Sequence, residues 1–215
     1  MAAGDNADGV RRRNLATILK LVHYGRVVSR AEITALTGLS RSTIAALVAE
    51  LGELRLVEEG EPVASGEVGR PSPTVRPHDY PIVLAINPEV DAVNGALVGL
   101  GGQVLARERT RLESVPTPDV AVRVVREVAA RLVDPREGRV VAMGLAIPGL
   151  VRATDGMVRW APHLGWREVP FAEMVGSGHF DFPVLADNDA SLGAIAEHLF
   201  GAGRGVDDLV YLNGG

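Results

Sequence analysis

Residues 29–57, which read SRAEITALTGLSRSTIAALVAELGELRLV, constrain the fold of this chain more than any other stretch. Ser29, followed three residues later by Glu32, forms a capping box and predicts the start of a short helix. The sequence TGLS predicts a tight turn, after which Ser40 caps a second helix. The side chains expected to face the core recur at helical spacing and are Ile33, Leu36, Ile44, Leu47, Val48 and Leu51. This order predicts a helix-turn-helix, preceded by an amphipathic helix over residues 11–24 that Gly25 ends.

The residues around this unit are basic, although the whole chain is acidic with a formal net charge of −5. Residues 10–56 carry eight basic and three acidic side chains, a net +5, which leaves 14 basic and 24 acidic residues, a net −10, elsewhere. A basic module on an acidic body predicts an anionic partner at one end only. A solvated helical face is the alternative explanation of the charge.

The second helix of a helix-turn-helix inserts its first turns into the major groove of DNA. The residues predicted to contact DNA from this part of the chain are Arg30, Ser40, Arg41, Ser42 and Thr43. Ala45 and Ala46 are small enough to permit close approach, and the positive helix end suits a phosphate. Purely structural helical bundles also use this geometry, but the basic excess and the polar start of the helix favour DNA.

The residues after this helix predict a wing. We expect residues 54–58 to form one strand, residues 60–69 a loop and residues 73–76 the returning strand. Within the loop, Gly-Arg-Pro is narrow and extended, so that Arg70 can enter a minor groove. The sequence therefore predicts a disordered tail over residues 1–9, a winged helix-turn-helix over 10–76 and a proline-marked linker over 77–81.

Composition excludes several other classes of protein. The chain has no cysteine, which excludes disulfides, zinc knuckles and thiol catalysis and fits a reducing compartment. The N-terminal residues do not read as a signal peptide, and no apolar run reaches the roughly 18 residues of a membrane span. We expect a cytoplasmic protein that has no membrane partner, no metal site and no cofactor.

The second module predicts an α/β fold. Strands are expected at residues 82–86, 92–98 and 104–109, forming an antiparallel meander with a turn at Gly101 and Gly102. An amphipathic helix is expected over residues 118–132, followed by a buried strand that ends at Pro148 and Gly149. The elements expected after it are a strand at 183–186, a helix at 190–200 and one more strand in the last residues.

These elements carry motifs that resemble the ROK family, whose name joins repressors, open reading frames and kinases. The matching pieces are GLAIPGLV, APHLGWREVPF, VLADNDASLGAIAEHLFGAG and VYLNGG, in the family's order. The resemblance implies the first half of an actin-like ATPase and sugar-kinase fold, which is ribonuclease H-like. It assigns residues 82–200 to the first ROK subdomain and 201–215 to the truncated start of the second. With the helix-turn-helix, the chain looks most like the transcriptional regulators of sugar-utilisation genes.

The resemblance also implies a sugar site made of Gly149, His163, Asn188 and Asp189. In ROK kinases the Asp of the Asn-Asp-Ala motif accepts a proton from the sugar hydroxyl, and it maps to Asp189. The alternatives are that Asp189 only caps a helix, that Gly149 is a turn glycine and that His163 is a surface residue where family members often have Asn.

The chain departs from the kinases at the phosphate-binding turn. Kinases of the family carry Asp-x-Gly-Gly-Thr between their first two strands, and here residues 86–91 read INPEVD. Pro88 has no N–H and Glu89 would repel a phosphate, so we expect no catalytic residue and no enzyme activity.

The sequence thus predicts a sugar-responsive transcriptional regulator, expected to be a repressor. Its partners would be operator DNA and a sugar or sugar phosphate effector, and the full-length form would be a homo-oligomer. Two alternatives stay open: an ATP-dependent sugar kinase, and a constitutive DNA binder whose second module binds nothing.

Overall fold

The computed structural model describes residues 7–61, 72–133 and 139–213, which divide into two compact units. Unit 1 contains the residues up to Pro81 together with Leu100–Gly102, and unit 2 contains Ile82–Gly99 and the chain from Gln103. Within the described residues, no helix is long and apolar enough to cross a membrane.

Unit 1 is three helices beside a small antiparallel sheet. Its elements in chain order are α1 (Ala7–Gly25), β1 (Val28–Ser29), α2 (Arg30–Thr37), α3 (Arg41–Glu53), β2 (Val57–Gly60) and β3 (Thr74–Pro77). The strands lie in the order β1-β3-β2. Buried aliphatic side chains from all three helices and all three strands form one core, which includes Ile18, Ile33, Leu47, Val57 and Val75.

The capping signals determine where the helices of unit 1 begin. The Ser29 hydroxyl accepts the Glu32 N–H at 3.1 Å while the Glu32 carboxylate accepts the Ser29 N–H at 2.7 Å, which is the predicted capping box. The hydrogen bond that the Ser29 N–H donates to the Glu32 carboxylate, and after it one from the Ser29 side chain, hold the pKa of Glu32 below its ordinary value. Gly38 ends α2 in the left-handed region at φ 69°, where a residue without a Cβ is unstrained.

Four sequence expectations for unit 1 need correction, the first being that Leu36 faces the core, since its side chain is 67% exposed. Helix α1 begins at Ala7, so residues 7–9 are not a disordered tail. Residues 54–56 are not part of a strand, because Leu54 caps α3 and Arg55 turns the chain at φ 57° before β2 begins. The expected linker is only partly a linker, since Pro77 ends β3 and Pro81 starts the next strand.

Unit 2 is built on a five-stranded sheet. Its first elements are β4 (Pro81–Pro88), β5 (Ala92–Gly99), β6 (Val104–Arg111), α4 (Pro118–Leu132) and β7 (Arg139–Ile147). Strand β11 (Val184–Asn188) completes the sheet, in the order β11-β7-β4-β5-β6. The antiparallel meander of β4, β5 and β6 is confirmed, and β11 runs parallel to β7.

Helix α4 covers one face of this sheet. The predicted apolar stripe is confirmed, because Val125 and Val128 are fully buried in the core of unit 2. A Cβ on Gly95 of β5 would lie 2.5 Å from the Val128 side chain, so this glycine allows the helix to approach the sheet closely.

Sequence reasoning did not anticipate the elements between β7 and β11. A second antiparallel sheet, in the order β10-β9-β8, is made of β8 (Leu150–Arg152), β9 (Met157–Ala161) and β10 (Trp166–Val169). A 3₁₀ turn at Pro162–Leu164 separates β9 from β10, and the short helix α5 (Phe171–Gly176) follows.

The last helix, α6 (Asp189–Phe200), starts directly from β11. The strand expected in the last residues is absent from residues 201–213, and residues 214 and 215 lie outside the described part of the chain.

Candidate functional site

The N-terminus of α3 presents a cluster of hydroxyl groups to solvent. The Ser40 hydroxyl accepts the Thr43 N–H at 3.1 Å and lies 2.9 Å from the Ser42 hydroxyl and 2.8 Å from that of Thr43. Ser40, Arg41 and Ser42 are exposed, while Ile44 behind them is fully buried. Because Ser40 caps only one of the free N–H groups of the first turn, the remaining ones can still bind an anion.

The two arginines predicted to contact DNA from the described residues have different surroundings. The Arg41 side chain is exposed and makes no hydrogen bond or ion pair within the part of the chain that the structure describes. The Arg30 guanidinium, in contrast, is paired with the carboxylate of Glu59 and is only 27% exposed. Arg30 therefore joins α2 to β2, and Arg41 is the cation that is available to a partner. Arg70 lies outside the described residues.

Three of the four predicted sugar-site residues come together in unit 2. The Asn188 side-chain N–H₂ donates to the carbonyl oxygen of Gly149 at 3.0 Å and to the Asp189 carboxylate at 3.0 Å. A Cβ on Gly149 would lie 2.5 Å from the carbonyl oxygen of Trp160 and 2.7 Å from the Cα of Ala161. Gly149 therefore has no room for a side chain, because it lies against the backbone of β9 just before β8 begins. This close approach explains the glycine without a turn or a ligand.

Asn188 and Asp189 have separate roles at the start of α6. Asn188 is the N-cap, since its side-chain oxygen accepts the Ser191 N–H at 2.8 Å. The N-cap of α6 is therefore Asn188 and not Asp189. The Asp189 carboxylate accepts the Ala190 N–H at 2.8 Å and, through its other oxygen, the side-chain N–H₂ of Asn213 at 3.2 Å.

His163 lies in the 3₁₀ turn, two residues after Ala161, and its side chain is exposed. Ala161, which lies against Gly149, leads directly into this turn. Among the described residues, however, no hydrogen bond joins His163 to Asn188 or Asp189. Sequence reasoning did not select Asn213. The signal for it was its motif, VYLNGG, in which a polar residue follows an apolar run.

The turn between β4 and β5 is closed by an ion-pair cluster. Arg109 of β6 donates to the carboxylates of Glu89 at 3.4 Å and Asp91 at 3.2 Å and to the side-chain oxygen of Asn94 at 2.8 Å. The Glu89 N–H is bonded to the Ala92 carbonyl at 2.8 Å. The carboxylates of Glu89 and Asp91 and the occupied N–H of Glu89 make this turn unsuited to a phosphate.

A cavity of about 570 Å³ opens beside this cluster, on the sheet strands β4, β5 and β6. Its lining includes Asn87, Asn94, Arg107 and Arg109 but none of the residues around Asp189. Within the described residues, no group of three or more His, Cys, Asp or Glu side chains is placed to hold a metal ion.

Known proteins share parts of this sequence and its fold. The sequence profile described as "ROK family" matches residues 83–214. A curated xylose repressor from Caldicellulosiruptor bescii is 27% identical over 220 residues, which cover 96% of this chain and 52% of the repressor. A glucokinase from Streptomyces coelicolor is 33% identical over 97 residues, covering 45% of this chain and 30% of the kinase.

Among solved structures, a ROK family transcriptional regulator described as a homolog of the Escherichia coli Mlc protein has the same fold. It superposes with a TM-score of 0.64 at 23% identity over 89% of this chain and 49% of its own. The chain spans about half the length of the curated repressors it matches.

Proposed function

This chain belongs to the ROK family, and on that premise we propose that it is a sugar-responsive, DNA-binding transcriptional repressor of carbohydrate-utilisation genes. The proposal includes a winged helix-turn-helix in unit 1 and an actin-like sugar-sensing subdomain in unit 2. It places the protein in the cytoplasm, with operator DNA and a sugar or sugar phosphate as its partners. The full-length form would act as a homo-oligomer.

The observation that carries the proposal is the pairing of two sites on one chain. Unit 1 offers an exposed helix start with Arg41 unpaired among the described residues. Unit 2 offers a carboxylate, Asp189, whose position beside Gly149 and Asn188 suits the hydroxyl groups of a sugar. A carboxylate hydrogen bond to a hydroxyl is stronger than one between neutral groups, so Asp189 is the group that should dominate sugar affinity.

A sugar kinase is the second candidate, because 45% of this chain matches a glucokinase. Phosphoryl transfer needs a cradle of free backbone N–H groups and cations around the nucleotide phosphates. Pro88 lacks an N–H, and the nearby Arg109 is already neutralised by Glu89 and Asp91. This arrangement favours a sensor that holds a sugar without phosphorylating it.

The test measures operator binding by the full-length protein with and without sugars. We expect a sugar, with xylose as the first probe, to release the operator. Arg41→Ala should weaken specific DNA binding by about 1–3 kcal/mol if the guanidinium meets a base edge. Arg204→Ala, which removes one exposed positive charge from unit 2, is the matched control and should leave operator affinity nearly unchanged.

Two results would contradict the proposal. One is an operator affinity that no sugar changes, which would favour a constitutive DNA binder. The other is sustained ATP-dependent phosphorylation of any of the same sugars, which would favour the kinase.

A further inference from the structure

The two tryptophans of the chain have opposite surroundings. Trp166 is 2% exposed, and its indole N–H donates to the Pro116 carbonyl at 2.9 Å. Trp160 is 53% exposed. A large aromatic side chain left open to water marks a binding surface when other apolar or polar side chains of the right type adjoin it.

Trp160 has such neighbours on the small sheet of unit 2. In the register of this sheet, Trp160 of β9 stands opposite Leu150 of β8 on one side and Arg167 of β10 on the other. Leu150 is 64% exposed, and Arg167 is exposed and has no ion-pair partner among the described residues. Directly opposed side chains start about 5 Å apart, so Leu150, Trp160 and Arg167 form one exposed row.

This exposed row is continuous with the candidate sugar site. Leu150 follows Gly149 directly, and the carbonyl oxygen of Gly149 accepts the side-chain N–H₂ of Asn188 at 3.0 Å. The backbone carbonyl oxygen of Trp160 also lies close to Gly149, since a Cβ on Gly149 would be 2.5 Å from it. Gly149 therefore links the row to the residues proposed to hold a sugar.

We propose that the exposed row binds the second ring of a disaccharide whose first ring is held at Asn188 and Asp189. This inference rests on the proposed function and names the effector class, a disaccharide. A pyranose ring has an apolar C–H face and a rim of hydroxyls. The indole of Trp160 covers the C–H face, Leu150 extends the apolar contact, and Arg167 donates hydrogen bonds to the rim.

The residue types of the row support a sugar over other small ligands. An indole beside a guanidinium pairs one apolar surface with several donors, which matches the alternation of C–H and O–H groups in a carbohydrate. Next to the row, Arg159 is paired with Glu168 at 3.1 Å, whereas Arg167 has no ion-pair partner among the described residues.

Tryptophan fluorescence of the full-length protein gives the direct test. Because Trp166 is buried, iodide quenches the emission of Trp160 selectively. We expect xylobiose, cellobiose or maltose to protect Trp160 from iodide at saturation, while xylose and glucose bind without protecting it. Protection by none of the disaccharides would overturn the proposal.

Matched variants supply the second readout, sugar affinity measured by calorimetry. Trp160→Ala should lower the affinity for the preferred disaccharide about tenfold while changing that for its monosaccharide by less than about twofold. Trp160→Phe keeps an aromatic face and should retain most of the affinity. Leu105→Ala removes another exposed apolar side chain of unit 2 and should have no effect.

The outcomes separate this inference from the proposed function. If monosaccharides release the operator but disaccharides bind no more tightly and Trp160→Ala changes nothing, the proposed function stands and the disaccharide site is wrong. If no sugar of either size binds, both are wrong. If Trp160→Ala alters only the oligomeric state, the row is a protein interface and the proposal fails.

Discussion

At the scale of single residues, Asn188 caps α6 whereas sugar binding is proposed for Asp189, so the two roles can be tested separately. Because Asn188 caps α6, Asp189→Asn leaves the cap intact and removes one charge from the first turn, at a cost of about 0.3–1 kcal/mol in stability. The loss of a charged acceptor should weaken sugar binding several-fold, since such hydrogen bonds are about twice as strong as neutral ones. Calorimetry with the full-length protein measures the affinity, and thermal melting measures the stability.

Asp187→Asn is the control for this change. Asp187 belongs to the same motif, loses the same charge, and has an oxygen that accepts the Asn188 N–H at 2.7 Å. We expect it to leave sugar affinity close to that of the unmodified protein. If Asp189→Asn responds to sugar at unchanged concentrations, Asp189 is only a structural residue.

At the scale of elements, His23 near the end of α1 makes unit 1 sensitive to acid. Its Nδ1 accepts the Gly101 N–H at 2.9 Å, and burial lowers the pKa of His23 below its ordinary value of 6.5. The stability that depends on neutral His23 is therefore fully present above about pH 6.5 and is lost as the pH falls through the lower pKa of the folded state. Melting of unit 1, followed by circular dichroism, should shift to lower temperature between about pH 7.5 and pH 5.

His23→Asn separates this effect from general acid denaturation. The asparagine oxygen can accept the same N–H but does not titrate, so the variant should lose less stability over that range. His198→Asn changes an exposed histidine on α6 and should behave like the unmodified protein. An equal acid shift in all three proteins would show that His23 does not control it.

At the scale of elements, some helices and strands could be predicted from the sequence and others could not. The bounds of α4 were predicted correctly because Thr117 caps it, Pro118 occupies its first turn and a strong apolar stripe runs along it. Strands β8 to β10 were missed because each has only three to five residues and their pairing depends on partners distant in sequence. The two-residue β1 was missed for the same reason.

The candidate site was predictable in part. The ADNDA motif selected Asn188 and Asp189, but their roles depend on contacts with Gly149, Ser191 and Asn213 that no local pattern encodes. Likewise, INPEVD indicated a poor phosphate site, whereas its closure by Arg109 of β6 required the register of the meander.

At the scale of the whole molecule, the described residues form two hydrophobic cores, one in each unit. Each core is closed by its own helices and strands, so we expect two unfolding transitions rather than one. Both tryptophans, Trp160 and Trp166, lie in unit 2, and indole fluorescence therefore reports the unfolding of unit 2 alone. Far-UV circular dichroism reports both units, because each contains helices.

Two cavity-forming substitutions can then be assigned to separate transitions. Leu47→Ala in α3 and Leu84→Ala in β4 each truncate a fully buried side chain, at an expected cost of about 2–5 kcal/mol. Leu47→Ala should lower a transition seen by circular dichroism and leave the fluorescence transition in place, whereas Leu84→Ala should lower the fluorescence transition. If Leu47→Ala moves both signals together, the two units unfold as one cooperative body. If the two units unfold separately, a sugar that binds unit 2 should raise the transition of unit 2 and leave that of unit 1 in place, because a ligand stabilises the unit whose folded state it binds.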